Sequence, residues 1–177
     1  MSIPPRPTLL FGATRGVGLA LARRLRDRGA AVVALVRASS DRAPLDAIGV
    51  EVVPGDALVS EDVVRAVGRA PSGADVVSTL GPRGPEDARV DDVAHGHVID
   101  AVRALAPRRF VLVTSMGCGE MAPYRSERVQ AVLGPVLDAK TRAEEALRSS
   151  GLPFTIVRPG GLKNGPPTGC GELVDDP

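Results

Sequence analysis

The chain has 177 residues, which suits one domain with a single sizeable core and leaves little room for a second substrate domain. At 44% hydrophobic and 24% charged, with 22 Lys and Arg against 21 Asp and Glu, it is neither disordered nor membrane-embedded in character, and its net charge of +1 draws it to neither nucleic acid nor anionic lipid. Three Phe, one Tyr and no Trp leave little to stack single-stranded bases, and two cysteines with no apolar signal region after Met1 point to a reducing, cytoplasmic setting.

After a flexible, Pro-rich tail over residues 1–7, Thr8 to Phe11 is a short apolar run ending at Gly12 and predicts a buried strand. Gly18 to Arg28 sets Leu19, Ala22 and Leu25 on one face with arginines opposite, and Gly29 closes this predicted helix. Ala31 to Val36 reads as a second, continuously apolar strand. Further strands are predicted at Val50–Val53, Asp75–Leu80, Phe110–Thr114 and Phe154–Val157, with helices at Glu61–Val67, Asp91–Leu105 and Leu137–Arg148. Six strands alternating with helices predict an α/β fold, a doubly wound parallel sheet in one domain over residues 8–177. Two stretches break the rhythm. Met116 to Gln130 mixes polar, Pro and Gly residues and is expected to wall a pocket at the carboxyl end of the sheet. Gly160 to Pro177 carries no element and ends abruptly, so the chain is expected to be truncated, with low stability for a chain ending there because sheet surface would stay exposed.

The segment Gly12-Ala13-Thr14-Arg15-Gly16-Val17-Gly18 lies directly between the first strand and the first helix. Its first glycine allows a tight turn, the second admits a pyrophosphate close to the backbone, and the third lets the helix pack closely on the strand. The helix N-terminus adds N–H donors and a positive dipole, so the turn reads as a dinucleotide phosphate site. An NAD-binding fold normally ends its second strand in Asp or Glu, to bind ribose hydroxyls. Here the strand ends in Arg37, followed by Ala38, Ser39 and Ser40, and Arg15 flanks the same place. A guanidinium with hydroxyls suits a 2′-phosphate, so NADP(H) is favoured over NAD(H).

On these residues the chain resembles the atypical, NAD(P)-binding branch of the short-chain dehydrogenase/reductase superfamily, the NmrA-like and flavin-reductase-like proteins, and therefore a Rossmann fold. Further support comes from Gly55-Asp56, Ser78-Thr79-Leu80-Gly81, Val113 to Gly117, Lys140 with Glu144, and Ser150 to Leu162. The resemblance implies that Asp56 and Ala57 lie beside the adenine, that Ser78 to Gly81 line the ribose and pyrophosphate side, and that Pro159, Gly160, Gly161 and Leu162 approach the nicotinamide. Thr14 and Val17 complete the turn. For Asp56 a plain turn aspartate is the competing reading.

The superfamily's catalytic members use Ser, Tyr and Lys together. Ser115 matches the serine and Lys140 the lysine, which also touches the cofactor, but the position four before Lys140 is Val136 rather than Tyr. Tyr124, His97 or water is then left to supply a proton. A packing role for His97 beside His95, and a surface pair of Lys140 with Glu144, are the alternatives. Cys118 and Cys170 read as inert thiols, and with no CxxC spacing or His cluster no metal site is expected. The expected function is reduction of a small carbonyl, quinone or flavin-like acceptor by NADP(H), in a monomer or homodimer with no nucleic-acid or membrane partner. The alternative is a non-catalytic NADP(H) sensor or scaffold, and epimerase or dehydratase action is disfavoured by the missing tyrosine and the length.

Overall fold

Runs of aliphatic residues form six short strands: β1 (Thr8–Phe11), β2 (Val32–Val36), β3 (Glu51–Pro54), β4 (Asp75–Ser78), β5 (Phe110–Val113) and β6 (Phe154–Val157). The computed structural model describes residues 5–82, 90–163, 165 and 169–172. All strand pairs are parallel, in the order β3-β2-β1-β4-β5-β6. This is the doubly wound Rossmann arrangement expected from the alternation of elements. The helices are α1 (Gly16–Asp27), α2 (Ala43–Asp46), α3 (Ser60–Arg69), α4 (His95–Val102) and α5 (Glu127–Arg148).

The strand order explains which face each helix covers. The chain moves outward from β1 through β2 to β3, so right-handed crossovers place α1 and α2 on one face. It then returns to β4 on the other side of β1, and the same handedness puts α3, α4 and α5 on the opposite face. The core divides accordingly. Leu10, Ala34 and Val36 pack with Ala22 of α1 and Leu45 of α2, whereas Leu9, Phe11, Leu35 and Leu112 pack with Val63, Val98 and Leu147. Strands β1 and β2 are buried throughout because both faces are covered, and the edge strands β3 and β6 are only partly so.

Four sequence expectations change. Helix α5 begins at Glu127, ten residues before the predicted start at Leu137. The pair Gly134-Pro135 hid its first half, since proline removes an N–H donor and usually ends a helix. Here the helix runs through it, and Ser126 caps its start by accepting the Val129 N–H at 3.3 Å. Much of the stretch expected to be irregular is therefore ordered, as a 3-10 segment Gly119–Tyr124 followed by α5. The helix predicted from Asp91 opens one residue earlier, in a π turn over Val90–Ala94, before α4 proper. Residues 1–4 of the N-terminal tail lie outside the described residues. Within the rest of it, the Pro7 carbonyl accepts the Asp75 N–H at 3.0 Å and joins the sheet. Among the described residues no helix is long and apolar enough to cross a membrane.

Leu112 is wholly buried at the middle of β5. Leu112→Ala is expected to lower unfolding free energy by about 2–5 kcal/mol in a denaturant titration, the range for truncating a buried leucine.

Candidate functional site

The carboxyl ends of all six strands open into one cleft of about 370 Å³, at the point where the strand order reverses between β1 and β4. Among the described residues its walls carry three basic side chains, Arg15, Arg37 and Lys140, against one acidic, Asp56. The cleft therefore favours an anionic ligand.

The glycine turn forms its floor. Gly12 has φ +84°, and a Cβ there would stand 2.7 Å from the backbone of Thr79. A Cβ at Gly18 would collide with the Gly12 carbonyl and the Thr79 hydroxyl. These two glycines let the turn, the start of α1 and the end of β4 meet backbone to backbone. The Thr79 hydroxyl seals the contact, lying within hydrogen-bond reach of both the Phe11 and Gly12 carbonyls at 3.2 and 3.1 Å. At Gly16 the situation is the reverse. Its φ is +50° and a Cβ would meet no protein atom within 4 Å, so the glycine leaves an open cradle at the mouth of α1. That helix has no acidic residue in its first turn and no side-chain cap on its leading N–H groups. Uncapped donors, a positive dipole end and open room above them fit the phosphates of a dinucleotide.

Around this floor, Thr14 and Val17 line the cleft from the turn, Arg37 and Ser40 from the end of β2, and Asp56 and Ala57 from the end of β3. Arg15 reaches over the entrance and donates to the Pro82 carbonyl at 3.0 Å. The Asp56 carboxylate also closes its own turn, accepting the Leu58 N–H at 3.0 Å. Its backbone N–H donates to Asp62 at 2.7 Å, and this bond, with Arg65, holds the Asp62 carboxyl below the usual carboxylate range. Asp62 went unnoticed in the sequence because nothing in its spacing reveals that it braces the turn before α3. Thr79, Leu80, Gly81, Pro159 and Leu162 line the cleft, whereas Gly160 and Gly161 do not.

Several expected residues sit elsewhere. Ser78 does not line the cleft; it is buried, with its hydroxyl 2.9 Å from Nε2 of His95. His95, not His97, is the histidine of structural consequence. Its Nδ1 lies 2.9 Å from the Asp91 carbonyl, which only accepts, so Nδ1 carries the proton and Nε2 accepts from Ser78. Burial pushes the His95 pKa down to about 4. His97 stays outside the lining, its Nδ1 3.1 Å from the Ala57 carbonyl. Tyr124 is 82% exposed on the 3-10 segment, and no residue of 116–130 lines the cleft, contrary to the expectation for that stretch. Ser115 is half-buried beside the cleft residue Thr114 and is not itself a lining residue.

The pairing of Lys140 with Glu144 is also replaced. Lys140 lines the cleft and donates to the buried Asp91 carboxylate at 2.6 Å. Glu144 is wholly buried and turns the other way. It accepts the Thr114 hydroxyl at 2.7 Å and the Arg158 guanidinium at 3.0 and 2.6 Å. Arg158 also reaches Glu120 at 2.6 Å, and these carboxylates raise its already high pKa. The network ties α5, the end of β6 and the 3-10 segment together behind the cleft. Cys118 is buried nearby, and burial together with the Glu144 charge pushes its thiol up, as suits an inert cysteine.

Residues 12–177 match the family described as NAD(P)H-binding. An uncharacterized sugar epimerase of Bacillus subtilis, YhfK, is 31% identical over 94% of this chain and 77% of its own length. An uncharacterized oxidoreductase of Streptomyces coelicolor is 32% identical over 98% and 80%. Among solved structures, ChuY, an anaerobillin reductase from Escherichia coli O157:H7, superposes with a TM-score of 0.84 at 38% identity, covering 92% of this chain and 77% of that one.

Neutral burial of His95 has a pH signature. An unfolded imidazole titrates near 6.5, whereas the folded one stays neutral down to about 4, so the unfolded state takes up the proton first as pH falls. Stability from this group is complete above about pH 6.5 and is lost progressively towards pH 4. The melting temperature is expected to fall across that window, and His95→Asn is expected to lose that component of the slope.

Proposed function

This chain belongs to the NAD(P)H-binding family, and we propose that its cleft holds NADP(H) in preference to NAD(H) for reduction of a small carbonyl, quinone or flavin-like acceptor in the cytoplasm. The observation that carries the cofactor preference is Arg37 at the end of β2, in the cleft wall with Ser40, where an acidic residue would repel a 2′-phosphate. The phosphates would rest on the Gly12–Gly18 turn and the N-terminus of α1, the adenine end between Asp56 and Ala57, and the nicotinamide end near Pro159 and Leu162. When bound, the dinucleotide supplies a hydride.

The protein's own share is positional. Thr114, a residue of the cleft wall, gives its hydroxyl proton to the buried Glu144, so that proton is not available to a ligand. Among the described residues Lys140 is the ionisable donor on that side of the wall. With Val136 where the superfamily has its tyrosine, acceptors whose reduced form is readily protonated from water are favoured. The name of ChuY, a reductase, supports an oxidoreductase over an epimerase reading.

A second reading, a non-catalytic NADP(H) sensor or scaffold, is favoured by the same Val136 and by the exposure of Tyr124. Calorimetric titration is expected to give tighter binding of NADPH than NADH, and Arg37→Glu to weaken NADPH by on the order of tenfold or more, the scale of one lost charge-assisted contact, with NADH little affected. Loss of reduced-nicotinamide absorbance on adding a quinone or flavin supports the reductase; binding of both redox forms without turnover supports the sensor.

A further inference from the structure

The Asp91–Lys140 pair is unusual in its placement. The carboxylate side chain is 0% exposed and the lysine side chain 12% exposed, at 2.6 Å. Burying such a pair seldom favours folding over two apolar side chains of the same volume, because desolvation offsets the attraction. Its value therefore lies in where it holds the ammonium. Lys140 is part of the cleft wall, with its Nζ 3.8 Å from where a Cβ at Gly81 would stand.

Asp91 is itself held from several directions. It lies in the π turn Val90–Ala94, whose two end residues both line the cleft. Its carbonyl accepts the His95 Nδ1–H, and His95 is anchored to β4 through Ser78. The next residue, Asp92, grips Arg142 at 2.7 Å, so both acids of the turn are clasped to α5. A π turn shifts the helical phase by one residue, and here adjacent carboxylates meet two bases two residues apart on the facing helix.

We propose that Asp91 is a positioning residue of the cofactor site: its buried carboxylate fixes the Lys140 ammonium against the cleft wall beside Gly81, with its remaining N–H groups directed at ligand oxygens. One of the three ammonium donors is spent on Asp91, and two are left for hydroxyl or phosphoryl oxygens. The pair is neutral overall, so it contributes directed hydrogen bonds, while the attraction for phosphate comes from the α1 N-terminus, Arg15 and Arg37. The proposal rests on the dinucleotide reading of the cleft.

The test is a double-mutant cycle on NADPH affinity, by calorimetry, with Asp91→Asn, Lys140→Met and the double variant, each first checked for a cooperative melt. Each single change is expected to weaken NADPH on the order of tenfold, and the double change no more than Lys140→Met alone, since Asp91 acts only through the lysine. Should Asp91→Asn fail to fold, Asp91→Glu, which keeps the charge but displaces the ammonium, takes its place in the cycle. Weaker NADPH binding in Asp91→Glu that disappears in the Lys140→Met background supports the proposal, and an unchanged affinity or an additive loss overturns it. Unchanged affinity in folded Asp91→Asn, or additive losses, also overturns it while leaving the dinucleotide reading intact. Failure of the unaltered chain to bind NADPH or NADH overturns that reading, and the proposal with it.

Discussion

Everything at the site depends on one close approach of backbone to backbone. Gly12, Gly18 and Thr79 meet where β1, α1 and the end of β4 converge, with no room for a Cβ on either glycine. Because of this contact, α1 starts immediately above the sheet and its leading N–H groups face the crevice between β1 and β4. A larger residue at either glycine would push the helix off the strand ends and separate the two halves of the phosphate floor. The reversal of strand order at the same place leaves the crevice open, since the crossovers leave to opposite faces.

Electrostatics shapes the walls as packing shapes the floor. Two carboxylates, Asp91 and Glu144, are wholly buried, and each is matched by cations at hydrogen-bond distance. Such groups are tolerated in the interior only when paired, and removing one partner is far costlier than the pair is worth. They divide the labour of α5. Its Lys140 faces the cleft through Asp91, while its Glu144, one turn on, fastens the Arg158 end of β6 and, through it, Glu120. Pro159, the residue after Arg158, lines the cleft, so the network behind the wall sets the position of the wall itself.

Much of this was legible in the sequence. Continuous apolar runs such as Val32 to Val36 announced strands covered on both faces, and the glycine spacing of residues 12–18 announced the turn, because both signals are local. The start of α5 was obscured by Gly134-Pro135, whose local preference is overridden once Leu137, Ala143 and Leu147 are packed on the sheet. For Ser78 the strand-end position suggested the cleft, yet its side chain is buried against His95. Spacing suggested that Lys140 would pair with Glu144, four residues away on the same helix. Lys140 instead pairs with Asp91, 49 residues away, while Glu144 bonds Thr114 and Arg158, 30 and 14 residues away, and Arg148 one turn on.

The sequence by itself therefore determined the fold class, the six strands, the phosphate-binding turn and the arginine at the end of β2, because each is written in consecutive residues whose periodicity, chirality and sterics act over a few positions. Tertiary structure alone decided which polar groups meet: Asp91 with Lys140, Glu144 with Arg158 and Thr114, His95 with Ser78. Those partners come from different elements, and their pairing is imposed by the need of buried charges and hydrogen-bonding groups to find one another once the sheet and its helices have closed around them.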